Sequence, residues 1–163
     1  MSDKDSDSTE ELSYYDKLKL TVFNPKNKLI TKKEIETLLK KYGVSQPIKN
    51  VRLYQTSFVH KSYCKKKNVV MKEDDILDLQ QDSYERLEYL GDSVLGCIVA
   101  KYLWNRFPSQ PEGFLTKIRI KIVNGVTLGK LAFILGFPKH LIISKAVEEK
   151  CDGRNNHKIL EDV

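Results

Sequence analysis

A chain of 163 residues with 40 % hydrophobic side chains can build one real core and is short for two. No run approaches the roughly 18 apolar residues of a membrane span. The N-terminus lacks an apolar signal core. Both features point to a soluble intracellular protein of the cytoplasm or nucleus, neither secreted nor bound to a membrane. Cys64, Cys97 and Cys151 are odd in number and far apart, which excludes a disulfide framework and a C-x-x-C metal knuckle.

The net charge of +6 is unevenly spread. Asp3, Asp5, Asp7, Glu10 and Glu11 stand against Lys4 in the first 13 residues, so the remaining chain is more basic than the whole. Residues 1–13 read as a disordered acidic tail, and a basic body fits an anionic partner such as nucleic acid. Tyr14 to Phe23 is mixed, and Asn24-Pro25-Lys26-Asn27 breaks it. Thr31-Lys32-Lys33-Glu34 is a capping box opening a helix. Ile35, Leu38 and Leu39 form its buried stripe, and Gly43 ends it.

A second helix is expected from Val51 to Tyr63. His60 near its end reads as a structural histidine. Lys65, Lys66 and Lys67 suggest an exposed loop. Met71 to Asp82 is acidic but has no glycine, so it departs from the EF-hand pattern and reads as a charged connector.

Next comes Tyr84 to Leu95, the stretch that carries the chemistry. Wound at about 100° per residue, Glu85, Glu88 and Asp92 lie within roughly 60° of one another. Leu87, Leu90, Val94 and Ile98 fall on the opposite side and are expected to pack. Like charges on one helical face repel by a few tenths of a kcal/mol per pair, and Gly91 inside a helix costs about 1 kcal/mol. Clustered carboxylates suit hard cations, which take oxygen ligands. The helix is expected to reach Arg106 and to be central and buried in its second half. Phe107-Pro108 stops it. Glu112 opens another helix to Val123, and Asn124-Gly125 ends that one. Thr127 is expected to cap the next, which Gly136 closes. Lys145 to Arg154 is polar and expected to be mobile. Lys158-Ile159-Leu160-Glu161-Asp162 begins a last helix.

The run Glu85-Arg86-Leu87-Glu88-Tyr89-Leu90-Gly91-Asp92-Ser93-Val94-Leu95 resembles the signature helix of the ribonuclease III family. Thr56 to Tyr63 is similar to the family's Thr-His-x-Ser-Tyr segment. Residues 118–132 resemble its middle helices, and Lys158 to Asp162 resembles the start of its second acidic helix. The resemblance covers about residues 50–163 and implies an all-α bundle around the signature helix, with residues 14–163 as the endonuclease domain. It implies a metal-dependent endonuclease acting on double-stranded RNA as a homodimer. Glu88, Asp92 and Asp162 would be the catalytic residues and hold Mg²⁺, with Mn²⁺ able to substitute. Glu85, Glu112 and Lys158 would support them, Lys158 by contacting the scissile phosphate or ordering the carboxylates. Tyr89 matches an aromatic that enters the partner subunit, and it can equally be read as a core residue. His60 has no catalytic role in the family.

The family's further Glu would fall two residues beyond Val163. The last helix is therefore expected to be incomplete, and no double-stranded-RNA-binding domain is expected here. A non-catalytic relative that binds RNA or dimerises is the alternative. A helical protein-interaction module would leave the carboxylate face unexplained.

Overall fold

The computed structural model of the chain describes residues 13–65 and 76–163. The tail expected at residues 1–13, apart from Ser13, lies outside the described residues, as does most of the charged loop and connector around residues 66–75. Among the described residues there are eight α-helices and two isolated β-bridges, and no named strand. The helices are α1 (Tyr14–Thr21), α2 (Lys32–Lys41), α3 (Val51–Thr56), α4 (Glu85–Arg106), α5 (Glu112–Ile122), α6 (Gly125–Ile134), α7 (Lys145–Cys151) and α8 (His157–Leu160). The all-α class expected from the sequence is what the chain adopts. No helix among these residues is long and apolar enough to cross a membrane.

Local rules explain most boundaries. Thr31 Oγ1 accepts from Glu34 N, while the Glu34 carboxylate accepts from Thr31 N at 2.8 Å, so the capping box of α2 is complete. Asn124 does two jobs. Its Nδ2 donates to Ile120 O and Lys121 O at the end of α5, and its Oδ1 accepts from Thr127 N at the start of α6. The cap of α6 is thus Asn124, not Thr127, because an amide side chain can serve both helix ends at once.

The core sits around an extended segment, Leu141 to Ser144, whose three apolar residues are fully buried. Buried backbone polar groups need partners, and this segment finds them far away in sequence. Ile142 N donates to Phe58 O, and His60 N donates to Ile142 O, both at 2.9 Å. Ile143 O accepts from Asn24 Nδ2 and Asn27 Nδ2, and Leu141 O accepts from Arg154 Nη1 at 2.6 Å. Phe23, Val59, Tyr63, Leu79 and Ile142 form one apolar cluster, and Ile30, Ile35, Ile48 and Phe58 another.

That pairing corrects the expected helix from Val51 to Tyr63. The helix stops at Thr56, because Val59 and His60 leave it to pair with Ile142, and only a 3-10 turn comes after it at Lys61–Tyr63. The stretch from Lys145 to Arg154 is also ordered rather than loose. Residues 145–151 form α7, Asp152 turns the chain at φ 46°, and Arg154 ties the approach to α8 back to Glu148.

α4 runs as far as expected, yet Leu103 is its one buried residue among those described. Of the four residues expected to pack, Leu90, Val94 and Ile98 are 60 %, 49 % and 59 % exposed and Leu87 alone is partly buried, so most of that side is open. α4 packs on α5 and α6 on α8, and among the described residues nothing faces the outer side of α4. Helix α8 seats closely on α6 at Gly129, where an added Cβ would stand 2.7 Å from His157 O. Gly129→Ala should therefore destabilise by about 1–3 kcal/mol through overpacking, more than the helix-propensity gain of about 1 kcal/mol. Gly91→Ala, whose Cβ would meet nothing within 4 Å, should stabilise. Urea denaturation of the two variants checks the contrast.

Candidate active site

Three helices shape a cleft of about 300 Å³. The first turns of α4 bring Tyr84, Glu88, Gly91 and Asp92 to one wall. Helix α6 supplies an apolar wall through Leu128, Leu131 and Leu135. The end of α8 brings Glu161, Asp162 and Val163 across from α4. Residues 88, 92 and 162 thus line one space although about seventy positions separate the last two in sequence. Gly91 lies between Glu88 and Asp92 on their helix, and packing does not demand it. It adds no side chain to the cleft that it lines beside them.

The electrostatics reflect that crowding. Burial, then the negative charges of Asp162, Asp92 and Glu85, push the Glu88 carboxyl above its ordinary range. Burial and neighbouring Glu161 push Asp162 up as well, while a hydrogen bond from Tyr84 and the charge of Lys61 act in the opposite sense. Tyr84 is 3 % exposed, and its hydroxyl donates to Asp162 Oδ2 at 3.4 Å. Burial and the adjacent carboxylates raise the phenol well above its usual value, so it stays protonated and remains a donor. Its ring leans on His60 at 5.9 Å between centroids, and its backbone N donates to Val59 O. Tyr84 is therefore a fixed donor aimed at Asp162.

A raised folded pKa means that the protonated form suits the fold. The stability it contributes is present below the ordinary carboxylate range and is lost as pH rises through the raised value. Glu88→Gln should accordingly raise the Tm at pH 7, and the gain should shrink as the pH falls through the raised Glu88 pKa. Thermal melts of both proteins from pH 4 to 8 check the sign.

The remaining sequence-predicted residues stand outside the cleft lining. Glu85 is half exposed and bound by Lys61 Nζ at 3.1 Å and by Ser83 Oγ, contacts that hold its carboxyl below the usual range. Glu112 opens α5 and accepts from Thr116 Oγ1. Lys158 is exposed in the first turn of α8. Tyr89 is 81 % exposed. His60 Nδ1 accepts from Ser62 N, a capping role within the 3-10 turn. Sequence reasoning missed three participants. Tyr84 gave no signal, because its partner is 78 positions away. Lys61, whose charge reaches Glu88 and Asp162, was read only as part of the end of the expected helix Val51–Tyr63 and given no role. Glu161 was passed over beside Asp162, yet a Cβ on Gly125 would collide with its carboxylate, which lies against the start of α6.

The donor set suits a hard dication. It is carboxylate oxygen only, and Glu88 and Asp162 are both raised by burial and then by neighbouring negative charge, of which a bound cation would relieve the second. The groups share the cleft rather than one point: among the described residues no three of His, Cys, Asp or Glu stand close enough to enclose an ion.

A family model described as Ribonuclease III domain matches residues 85–163. A solved structure of the nuclease domain of ribonuclease III from Campylobacter jejuni matches with a TM-score of 0.61 at 31 % identity, covering 78 % of this chain and 77 % of that one. The chain belongs to the ribonuclease III family. A second structure of the same Campylobacter domain gives 0.61 at 32 % identity, covering 80 % and 76 %. Among curated proteins, the "Probable ribonuclease 3" of Acanthamoeba polyphaga mimivirus is 37 % identical over 151 residues, 89 % of this chain and 28 % of its own length. The ribonuclease 3 of Streptococcus pneumoniae is 35 % identical over 130 residues, 80 % of this chain and 51 % of its own. The chain therefore spans about a quarter to a half of these ribonuclease III proteins.

Proposed function

We propose that this ribonuclease III chain is a metal-dependent endoribonuclease that hydrolyses phosphodiester bonds of double-stranded RNA. The observation that carries the reading is the convergence of Glu88, Asp92 and Asp162 on one cleft. Those three carboxylates would hold Mg²⁺, with Mn²⁺ as substitute. When bound, such an ion lowers the pKa of a water and offsets charge on the phosphate. Tyr84 fixes the Asp162 carboxylate, and Glu85 keeps Lys61 beside the cleft. Lys158 and Glu112 stand outside the cleft lining, and only the family resemblance would give Lys158 a role in contacting the scissile phosphate or ordering the carboxylates and Glu112 a supporting one.

Double-stranded RNA is read through phosphates, 2′-hydroxyls and A-form shape, which suits a basic chain with dispersed lysines. The open side of α4, with Tyr89 at its start, fits self-association. One Campylobacter structure concerns flexibility in a region involved in dimer formation of that domain. The wider spacing of the acids is the observation that favours a non-catalytic RNA-binding or dimerising relative.

Analysis of product ends separates the readings. Water attack at the phosphorus leaves 5′-phosphate and 3′-hydroxyl ends on fragments of a long duplex. Ends bearing 2′,3′-cyclic phosphate would assign the attack to the RNA's own 2′-hydroxyl and refute the hydrolytic reading. Intact duplex would favour the non-catalytic relative.

A further inference from the structure

A second groove, of about 510 Å³, opens between α2 and the turn at Phe137–His140. It meets the carboxylate cleft at Leu135, which lines both. Its character is opposite. Lys33, Thr37 and Lys41 recur every four residues along one face of α2, so the two lysines stand about 12 Å apart along the axis. Lys139 faces them across the groove, over a floor of Leu38 and Leu135. All three lysines are exposed. Glu34, the one acid in the lining, is held ionised by hydrogen bonds from Thr31 Oγ1 and Thr31 N in the capping box and by the charge of Lys139, so it offsets one of the three lysines. His140 is 8 % exposed, and burial lowers its pKa, so it adds no charge at pH 7. The groove thus presents three exposed lysines against one carboxylate, beside a cleft that presents carboxylates; Lys41 Nζ also lies over the Tyr42 ring, 5.4 Å from its centroid.

A polyanion entering an acidic cleft meets repulsion that nearby cations offset. We propose that the groove of Lys33, Lys41 and Lys139 holds the phosphate backbone of a duplex RNA where it leaves the carboxylate cleft. The inference rests on the RNA reading above and adds a contact surface to it. The occupant is a nucleic-acid backbone rather than an acidic peptide because the lysines stand along the groove as spaced point charges and the groove adjoins the cleft proposed to act on RNA.

Helix α2 supplies its own control. Lys32 and Lys40 lie on the same helix, exposed and outside the groove lining, with Lys32 near Glu36 at 3.9 Å. The test compares the double variants Lys33→Ala/Lys41→Ala and Lys32→Ala/Lys40→Ala, which change net charge equally. A labelled RNA duplex is titrated in chelator at several salt concentrations, so that cutting cannot interfere. The groove pair should lose affinity by about fivefold or more, with a salt slope shallower by about one to two. The control pair should stay within about twofold. Lys139→Ala should weaken binding in the same sense. Equal losses in the two pairs would reduce the effect to bulk charge and overturn the proposal. An unchanged groove pair, or a wild-type chain that does not bind the duplex, would overturn it too. Selective loss of binding with no metal-dependent cutting by the wild type would leave the groove standing and refute the catalytic reading.

Discussion

Asp92→Asn should abolish metal-dependent cutting of duplex RNA while leaving duplex affinity in chelator unchanged or slightly tighter. Asn keeps the shape and the helix and removes the charge. Asp92 lies one turn beyond Glu88 on the same helix and shares the cleft with Asp162. Losing one charged group at a reacting centre costs on the order of a hundred- to a thousandfold in rate. Binding should be spared because the removed charge repels the RNA rather than attracting it. Single-turnover cleavage beside a chelator binding curve checks both halves. Turnover within about tenfold of wild type would remove Asp92 from the site.

Arg154→Ala should be the most destabilising single change away from the cleft. Arg154 Nε donates to Glu148 Oε2 at 2.8 Å, Nη1 to Leu141 O at 2.6 Å and Pro138 O at 3.1 Å, and Nη2 to Asn27 Oδ1 at 2.9 Å. The Arg154 and Glu148 side chains are only 14 % and 11 % exposed. Removing the guanidinium takes the Leu141 carbonyl's donor away and leaves the mostly buried Glu148 carboxylate with only Lys26 and Asn24, which costs about 3–5 kcal/mol. For a chain of this size that lowers the Tm by roughly 6–20 °C. Lys cannot reproduce the planar fork, so Arg154→Lys should recover little. The double change with Glu148→Ala should recover part of the loss, because it removes a mostly buried carboxylate that keeps only Lys26 and Asn24 as partners. A Tm change below about 3 °C for Arg154→Ala would contradict the account.

These two residues mark the limit of what the sequence revealed. Asp92 was legible because its partner Glu88 lies four positions away on the same helix, and Asp162 because a local run resembles a family motif. The capping box at Thr31 was legible for the same reason, since its donors and acceptors sit within one turn. Arg154 was not legible. Its contact with Asn27 spans 127 positions, and read locally the stretch from Lys145 is merely polar. The helix through Val51 was drawn too long because the pairing of Val59 with Ile142 is equally remote. The apolar side of α4 was read correctly as apolar and wrongly as packed, because periodicity reports which residues seek burial and not what covers them.

The carboxylate cleft as an RNA-cutting site is tested most directly by incubating the 163-residue chain with a long RNA duplex. The reactions hold Mg²⁺ in one and chelator in another, with the separated single strand as a third substrate. Cutting of the duplex that requires Mg²⁺ and leaves the single strand largely intact is the predicted result. Cutting that persists in chelator, or no cutting of the duplex at any Mg²⁺ concentration, would contradict it.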